Sequence, residues 1–144
     1  MASTRITPAN MTDGNYQTYW ARRPNAAGVF AAPVPISELD YRDRSTVDAF
    51  LTDDRLTMFF SSTPALASEA DGGGQDGGQA TSADLYVAFR RTTDEAFATT
   101  QALTDLNTSF DERDPWLSPD GSLLYFSSER DGELNIYRVP VLPR

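Results

Sequence analysis

The chain contains no cysteine and no histidine among its 144 residues, and its 12 basic residues are all arginine. Without cysteine there can be no disulfide, no thiolate metal site and no cysteine nucleophile. Without histidine the chain lacks the commonest general base, the Ser-His-Asp triad and most kinds of zinc site. Chemistry performed by this chain alone would therefore depend on carboxylates, arginine, serine and tyrosine. We expect no enzymatic activity, no cofactor and no bound metal.

Positive charge and long apolar runs are also scarce. The chain has 12 basic and 21 acidic residues, so its formal net charge is −9. Nucleic acids and anionic membranes require a positive protein surface, so this balance disfavours both as partners. No segment has the roughly 20 consecutive apolar residues that a membrane-spanning helix requires. The N-terminal segment MASTRITPANMTDG has one arginine and no apolar stretch, so we expect no signal peptide there.

An internal repeat is the strongest positive signal in the sequence. Asp48–Ser62 aligns without a gap to Asp114–Ser128 at an offset of 66, with six identical residues over 15 positions. Upstream, Tyr19–Leu39 aligns to Tyr86–Leu106 at an offset of 67, and the two segments share a tyrosine, an alanine, an arginine, a phenylalanine and the final leucine. The repeating unit is roughly 45 residues long, which is the length of a four-stranded propeller blade.

The repeat predicts an all-β fold made of antiparallel strands. A third alignment, of 13–21 with 131–139, extends the repeat toward both ends of the chain. The apolar run 123–128 between turn signals is typical of a strand that is buried on both faces. Ser118–Gly121 has the Pro-Asp-Gly order of a tight turn. The predicted strands are 16–21 and 29–36 in a first sheet, 46–52, 56–61, 85–89 and 97–103 in a complete second sheet, and 115–117, 123–128 and 134–139 in a last sheet.

The last copy of the repeat carries a specific motif. An aspartate precedes Pro-Trp-Leu-Ser-Pro-Asp-Gly, which is followed by an aromatic strand ending in Ser-Ser and then by an Asn-Ile-Tyr strand. This motif resembles the TolB-type β-propeller repeat, a WD-like repeat, and the similarity covers most of 13–139. The matching residues are Asp114, Pro115, Trp116, Ser118, Pro119, Asp120, Gly121, Phe126, Ser127, Ser128, Ile136 and Tyr137.

The resemblance implies a single partial β-propeller unit of about two blades, spanning 1–144. On this interpretation 13–39 supplies the outer strands of a first blade, 46–106 forms a complete blade with an inserted loop at 63–83, and 111–139 forms a last blade without its outer strand. The family implies a non-enzymatic protein-interaction module of the bacterial cell envelope, periplasmic or extracellular. The expected partners are other proteins, missing blades of the same propeller, or further copies of the chain. The alternative is the propeller portion of a larger enzyme, such as a propeller-lidded serine peptidase.

Charged residues in two equivalent strand connections are the candidate binding residues. These connections precede the first strands of the second and last sheets, and in a propeller such connections line one rim. Ligands usually bind at a rim of this kind. We therefore predict that Arg44, Asp111, Glu112 and Arg113 contact a partner.

Other repeated polar residues have a structural interpretation. We expect Asp48 and Asp114 to hydrogen-bond the backbone of their turns and to pair with arginine side chains. Ser127–Ser128 and Ser61–Ser62 end equivalent strands and have no general base beside them, so we interpret them as structural residues.

Two features have both a functional and a structural interpretation. The arginine pairs Arg22–Arg23 and Arg90–Arg91 follow two predicted strands, where they form either a stripe for an anionic ligand or a repeated charged exit from a strand. Their repetition favours the second interpretation. The Gly- and Asp-rich segment Thr63–Ala83 is either a calcium-binding loop or a flexible connection. A single imperfect glycine-aspartate motif favours the flexible connection.

Overall fold

A computed structural model describes residues 2–5, 16–39, 44–63 and 82–141, with backbone alone for 2–5. These residues form ten β-strands, one turn of 3₁₀ helix at Ser37–Leu39 and no α-helix. None of them belongs to a helix long and apolar enough to cross a membrane. The strands are β1 (Ala2–Arg5), β2 (Gln17–Trp20), β3 (Val34–Pro35), β4 (Ser45–Leu51), β5 (Thr57–Thr63), β6 (Asp84–Phe89), β7 (Thr99–Ala102), β8 (Glu112–Leu117), β9 (Leu123–Ser128) and β10 (Asn135–Pro140).

The strands form three antiparallel sheets in chain order. Sheet I has the order β1-β2-β3, sheet II has the order β4-β5-β6-β7, and sheet III has the order β8-β9-β10. Within each sheet, strands that are consecutive in the chain pair with each other. None of the three sheets closes into a barrel. The predicted all-β fold with antiparallel sheets is therefore confirmed.

Nine of the ten strands lie where the repeat predicts them, and the differences have local causes. β3 is limited to Val34–Pro35, although the prediction spanned 29–36. Pro33 and Pro35 lack the backbone N–H that a longer ladder would need. β1 was not predicted, because Ala-Ser-Thr-Arg is short and has no alternation of apolar and polar residues. It pairs with β2 in the register Ala2↔Trp20 to Arg5↔Gln17.

The main core lies between sheets I and II. β4 contacts β1 and β2, and β8 in turn contacts β4, β5 and β6. β5 and β6, in the middle of sheet II, are the most thoroughly buried strands, which agrees with the apolar runs at 58–60 and 85–89. The buried cluster consists of Ile36, Leu39, Met58, Phe60, Tyr86, Ala88 and Phe97.

The two aligned copies contain the same β-bulge. The pairing of β4 with β5 shifts around Asp48, and the pairing of β8 with β9 shifts around Asp114. Both aspartates adopt the left-handed backbone conformation, with φ of 53° for Asp48 and 54° for Asp114. The Oγ of Ser61 donates to Asp48 (2.6 Å), and the Oγ of Ser127 donates to Asp114 (2.7 Å). Each aspartate therefore accepts a hydrogen bond from a serine on the neighbouring strand, whereas the prediction was a bond to the turn backbone.

The turns that follow these bulges are also the same in both copies. The hydroxyl of Thr52 donates to Asp54 (2.6 Å), and the hydroxyl of Ser118 donates to Asp120 (2.5 Å). These bonds, with a second one from the backbone two residues further on, lower the pKa of both carboxyls, to about 2 for Asp120. The repeat therefore specifies hydrogen bonds as well as strand positions.

Candidate functional site: an arginine-lined cleft between sheets I and II

A cleft of about 300 Å³ opens between sheets I and II at the end where β4 turns into β5. Its apolar side chains are Trp20, Ala21, Phe30, Ile36, Leu51, Met58 and Phe97. Its charged side chains are Arg22, Arg23, Arg55, Arg90 and Glu38. The cleft thus combines an apolar floor with a rim dominated by guanidinium groups, a combination common to sites for organic ligands.

The strand order explains how distant arginines meet in this cleft. Arg90 directly follows β6, and Arg55 lies in the β4–β5 turn. Because alternate connections of an antiparallel sheet lie at the same end, these two residues are neighbours, and the Nε of Arg90 donates to the carbonyl of Arg55 (2.8 Å). Arg22 and Arg23 follow β2, which packs against β4. Sheet packing therefore brings arginines from three separate segments together.

Three of these arginines stack on aromatic rings. The guanidinium carbon lies 4.5 Å from the ring centre for Arg22 over Trp20, 4.9 Å for Arg23 over Phe30 and 4.6 Å for Arg90 over Phe97. Stacking of this kind is attractive because the positive charge faces the negative face of the ring. The N–H donors of a guanidinium group lie along the edge of its plane.

The charge of the cleft is positive, although the chain as a whole is acidic. Four arginines line it against the single carboxylate of Glu38, which leaves an excess of three positive charges. The Oε1 of Glu38 accepts a hydrogen bond from the backbone N–H of Phe97 (3.0 Å). In the part of the chain that the structure describes, the ion pairs are formed by other arginines. None of these ion pairs among the described residues neutralises a guanidinium group of the cleft.

The residues predicted to form a binding rim lie at the opposite end of the strands. Arg44 precedes β4, and Asp111 precedes β8. Asp111 accepts hydrogen bonds from the backbone N–H of Ala83 (2.6 Å) and from Arg113 (2.6 Å). The structure therefore gives Asp111 and Arg113 contacts within the chain, and their contact with a partner stays a prediction.

Glu112, the fourth predicted rim residue, is fully buried. Its carboxylate accepts hydrogen bonds from the hydroxyl of Thr108 (2.7 Å), the hydroxyl of Ser128 (2.7 Å) and the guanidinium of Arg130 (3.3 Å). A buried carboxylate needs such partners, because an isolated charge is strongly disfavoured away from water. These contacts join β8, β9 and the β7–β8 connection, which is a structural role.

The two arginine pairs noted in the sequence are not equivalent. The offset of 67 places Arg23, not Arg22, on Arg90, and both stack on the equivalent phenylalanines. Arg91 is 89% exposed and pairs with Glu95 outside the cleft. Arg55 and Glu38 were not predicted as site residues, because they reach the cleft only through the packing of the sheets. The alignment of Arg23 with Arg90 was the sequence feature from which the arginines of the cleft could have been predicted.

Most of the Gly- and Asp-rich segment, residues 64–81, lies outside the described residues, so neither the calcium interpretation nor the flexible-loop interpretation is addressed. Within the described ranges, no group of three or more acidic side chains is placed to hold a metal ion. Comparison with models of known protein families gives no match for this chain, and comparison with curated proteins gives none either.

Proposed function

We propose that the chain is a partial β-propeller of the TolB type that acts as a non-enzymatic protein-interaction module. The supporting features are three consecutive antiparallel sheets, each in contact with the next, and a repeated bulge and turn. The TolB-like motif around Asp114–Gly121 supports the family, and the cell-envelope location follows from that resemblance alone.

One comparison between repeat positions carries the proposal. The alignments place Tyr137 of β10 on Tyr86 of β6, and both tyrosines stack on a phenylalanine of the preceding strand, at 5.8 and 5.6 Å between ring centres. The residue before each tyrosine is Ile136 in β10 and Leu85 in β6. Leu85 is fully buried, whereas Ile136 is 80% exposed. The same repeat position is thus covered in sheet II and open in sheet III.

The residues around Leu85 indicate which contacts a partner bound beside β10 would provide to Ile136. The backbone N–H of Leu85 donates to the side chain of Asn107 (2.8 Å), and its carbonyl accepts from the N–H of Leu103 (2.9 Å). β7 pairs with β6 on one side, and β8 contacts β6 from the next sheet. We propose that a protein partner supplies an equivalent strand beside β10 and an apolar surface over Ile136.

A grafted strand tests this proposal. Residues 90–106, which contain β7 and its flanking connections, are appended directly after Pro140, the position that aligns with Phe89. We expect the added segment to pair with β10 and to raise the free energy of unfolding by about 1–2 kcal/mol, since it buries apolar surface and satisfies edge hydrogen bonds. Thermal unfolding and hydrogen exchange of the β10 amides measure the effect.

The control is the same appended segment in shuffled order. It has the same composition and length but no strand register that matches β10. Equal unfolding midpoints for the two extended chains, with equally fast exchange of the β10 amides, would contradict the proposal that sheet III takes a further strand.

A further inference from the structure

Two of the four arginines in the cleft depart from the repeat. The position of Arg55 in the β4–β5 turn is occupied by Gly121 in the β8–β9 turn, and Arg22 aligns with Phe89. The other two, Arg23 and Arg90, align with each other. A structural role that recurs in each copy therefore accounts for Arg23 and Arg90, but it does not account for Arg22 and Arg55.

Arg55 also occupies an unfavourable backbone conformation. Its φ is 61°, and the equivalent Gly121 has φ of 72°. A side chain other than glycine, asparagine or aspartate is disfavoured in this left-handed region because its Cβ approaches the backbone. Strained residues of this kind concentrate at binding and catalytic sites. Arg55 therefore places a guanidinium group at the cleft where glycine would suit the turn better.

The surroundings of these arginines define the ligand class. Three of the guanidinium groups lie over aromatic rings, and the rim carries an excess of three positive charges. Below the rim lie the half-buried Leu51 and the buried Met58. A guanidinium edge matches the paired oxygens of a carboxylate or a phosphate, whereas the apolar floor favours a hydrocarbon or aromatic body.

We propose that the cleft binds a small organic anion, with its oxyanion group among Arg22, Arg55 and Arg90 and its apolar body on Leu51 and Met58. The cleft volume of about 300 Å³ is at the lower end of the range for small-molecule sites. This inference goes beyond the interaction proposed for sheet III, because it concerns other residues between the other two sheets.

Fluorescence titration of the full chain provides the test. Trp20 lies in the cleft under Arg22, and the second tryptophan is removed by Trp116→Phe, which is the residue type of the equivalent Phe50. The probes are phenyl phosphate, benzoate, inorganic phosphate and neutral benzyl alcohol. We expect saturable changes with phenyl phosphate or benzoate, weaker binding of inorganic phosphate and no saturation with benzyl alcohol. The tighter of the two aromatic anions identifies the preferred oxyanion.

Two substitutions separate binding from folding. Arg22→Gln and Arg55→Gly should each weaken binding of the preferred aromatic anion about fivefold or more, since each removes a charge-assisted hydrogen-bond donor. Arg55→Gly should also raise the unfolding midpoint, because glycine relieves the left-handed strain. Arg91→Gln is the matched control, since Arg91 lies outside the cleft, and it should leave the affinity unchanged.

Three results would overturn the proposal. The first is a titration in which neither aromatic anion saturates the fluorescence change up to about 10 mM, since a specific binding site usually has a lower dissociation constant. The second is an affinity that neither Arg22→Gln nor Arg55→Gly changes. The third is equally tight binding of inorganic phosphate and phenyl phosphate, which would remove the role of the apolar floor.

Discussion

At the scale of single residues, a left-handed aspartate is the centre of each repeat. Asp48 and Asp114 adopt φ near 54° at a bulge, a conformation in which aspartate is several-fold enriched over most residues. Each carboxylate accepts a short hydrogen bond from a serine hydroxyl of the neighbouring strand. One residue thus combines two requirements, a short polar side chain that tolerates the bulge and an acceptor that ties two strands together.

Substitutions at Asp114 should separate these two requirements. Asp114→Ala loses the bond to Ser127 and retains the unfavourable φ, so we expect a loss of about 2 kcal/mol in the free energy of unfolding. Asp114→Asn tolerates the same φ and retains an acceptor oxygen, so its loss should be about half as large. Urea denaturation measures both variants.

A control at an exposed position gives the background for this comparison. Asp94 is exposed on the connection between β6 and β7, and Asp94→Ala should change stability by less than about 0.5 kcal/mol. If Asp114→Asn and Asp114→Ala lower the free energy of unfolding equally, the acceptor oxygen and the tolerance of positive φ that asparagine retains do not stabilise the fold, which contradicts this prediction.

At the scale of strands, Asp84, the first residue of β6, has a raised pKa. Burial, followed by the nearby negative charge of Glu112, raises the pKa of Asp84 from 3.8 to about 6. Folding therefore favours the protonated form of Asp84. Its contribution to stability is fully present below pH 4 and is lost as the pH rises through about 6.

Asp84→Asn should remove this pH dependence, because the amide carries no charge at any pH. We expect the variant to be more stable than the parent chain by about 1 kcal/mol at pH 8, a value reduced for the partial exposure of the group. The difference should vanish at pH 4, where Asp84 is protonated. Urea denaturation at pH 4, 6 and 8 measures it.

The exposed Asp105 provides the control, since Asp105→Asn removes one negative charge from an exposed position. A similar gain at pH 8 from both substitutions would assign the effect to the net charge of the chain and not to the burial of Asp84.

The repeat made most of the strands predictable from the sequence. The segment 114–128 combines a bulge residue, a turn with glycine at its left-handed position and an apolar run, and each of these is a local property. β1 was missed because nothing in Ala2–Arg5 favours a strand locally. Its strand conformation depends on pairing with β2, which is a contact between segments.

The cleft was less predictable, because it depends on the packing of sheet I against sheet II. Nothing near Arg55 in the sequence indicates that its backbone carbonyl accepts a hydrogen bond from the side chain of Arg90, which is 35 residues away. The predicted rim was chosen for the density of its charge, yet Glu112 uses its charge inside the fold. Charge density along a sequence does not distinguish an exposed cluster from a buried network.

At the scale of the whole molecule, sheet III differs from sheet II in the surface that it exposes. Trp116, Leu134 and Ile136 are 45%, 63% and 80% exposed. They lie on β8, just before β10 and on β10 itself. Exposed apolar residues on and beside an edge strand favour association with other chains. The net charge of −9 opposes such association at low ionic strength.

These opposing effects predict a concentration- and salt-dependent self-association of the chain through sheet III. In salt of about 0.15 M, where charges further apart than about 8 Å are screened, light scattering should show oligomers whose fraction rises with protein concentration. Ile136→Lys should reduce that fraction severalfold, because it places a charge on the open position of β10. Val29→Lys is the control, since Val29 is 88% exposed on the connection between β2 and β3 of sheet I. If the two substitutions reduce association equally, added charge and not the surface of sheet III controls it, and the open position of β10 loses its role as the contact.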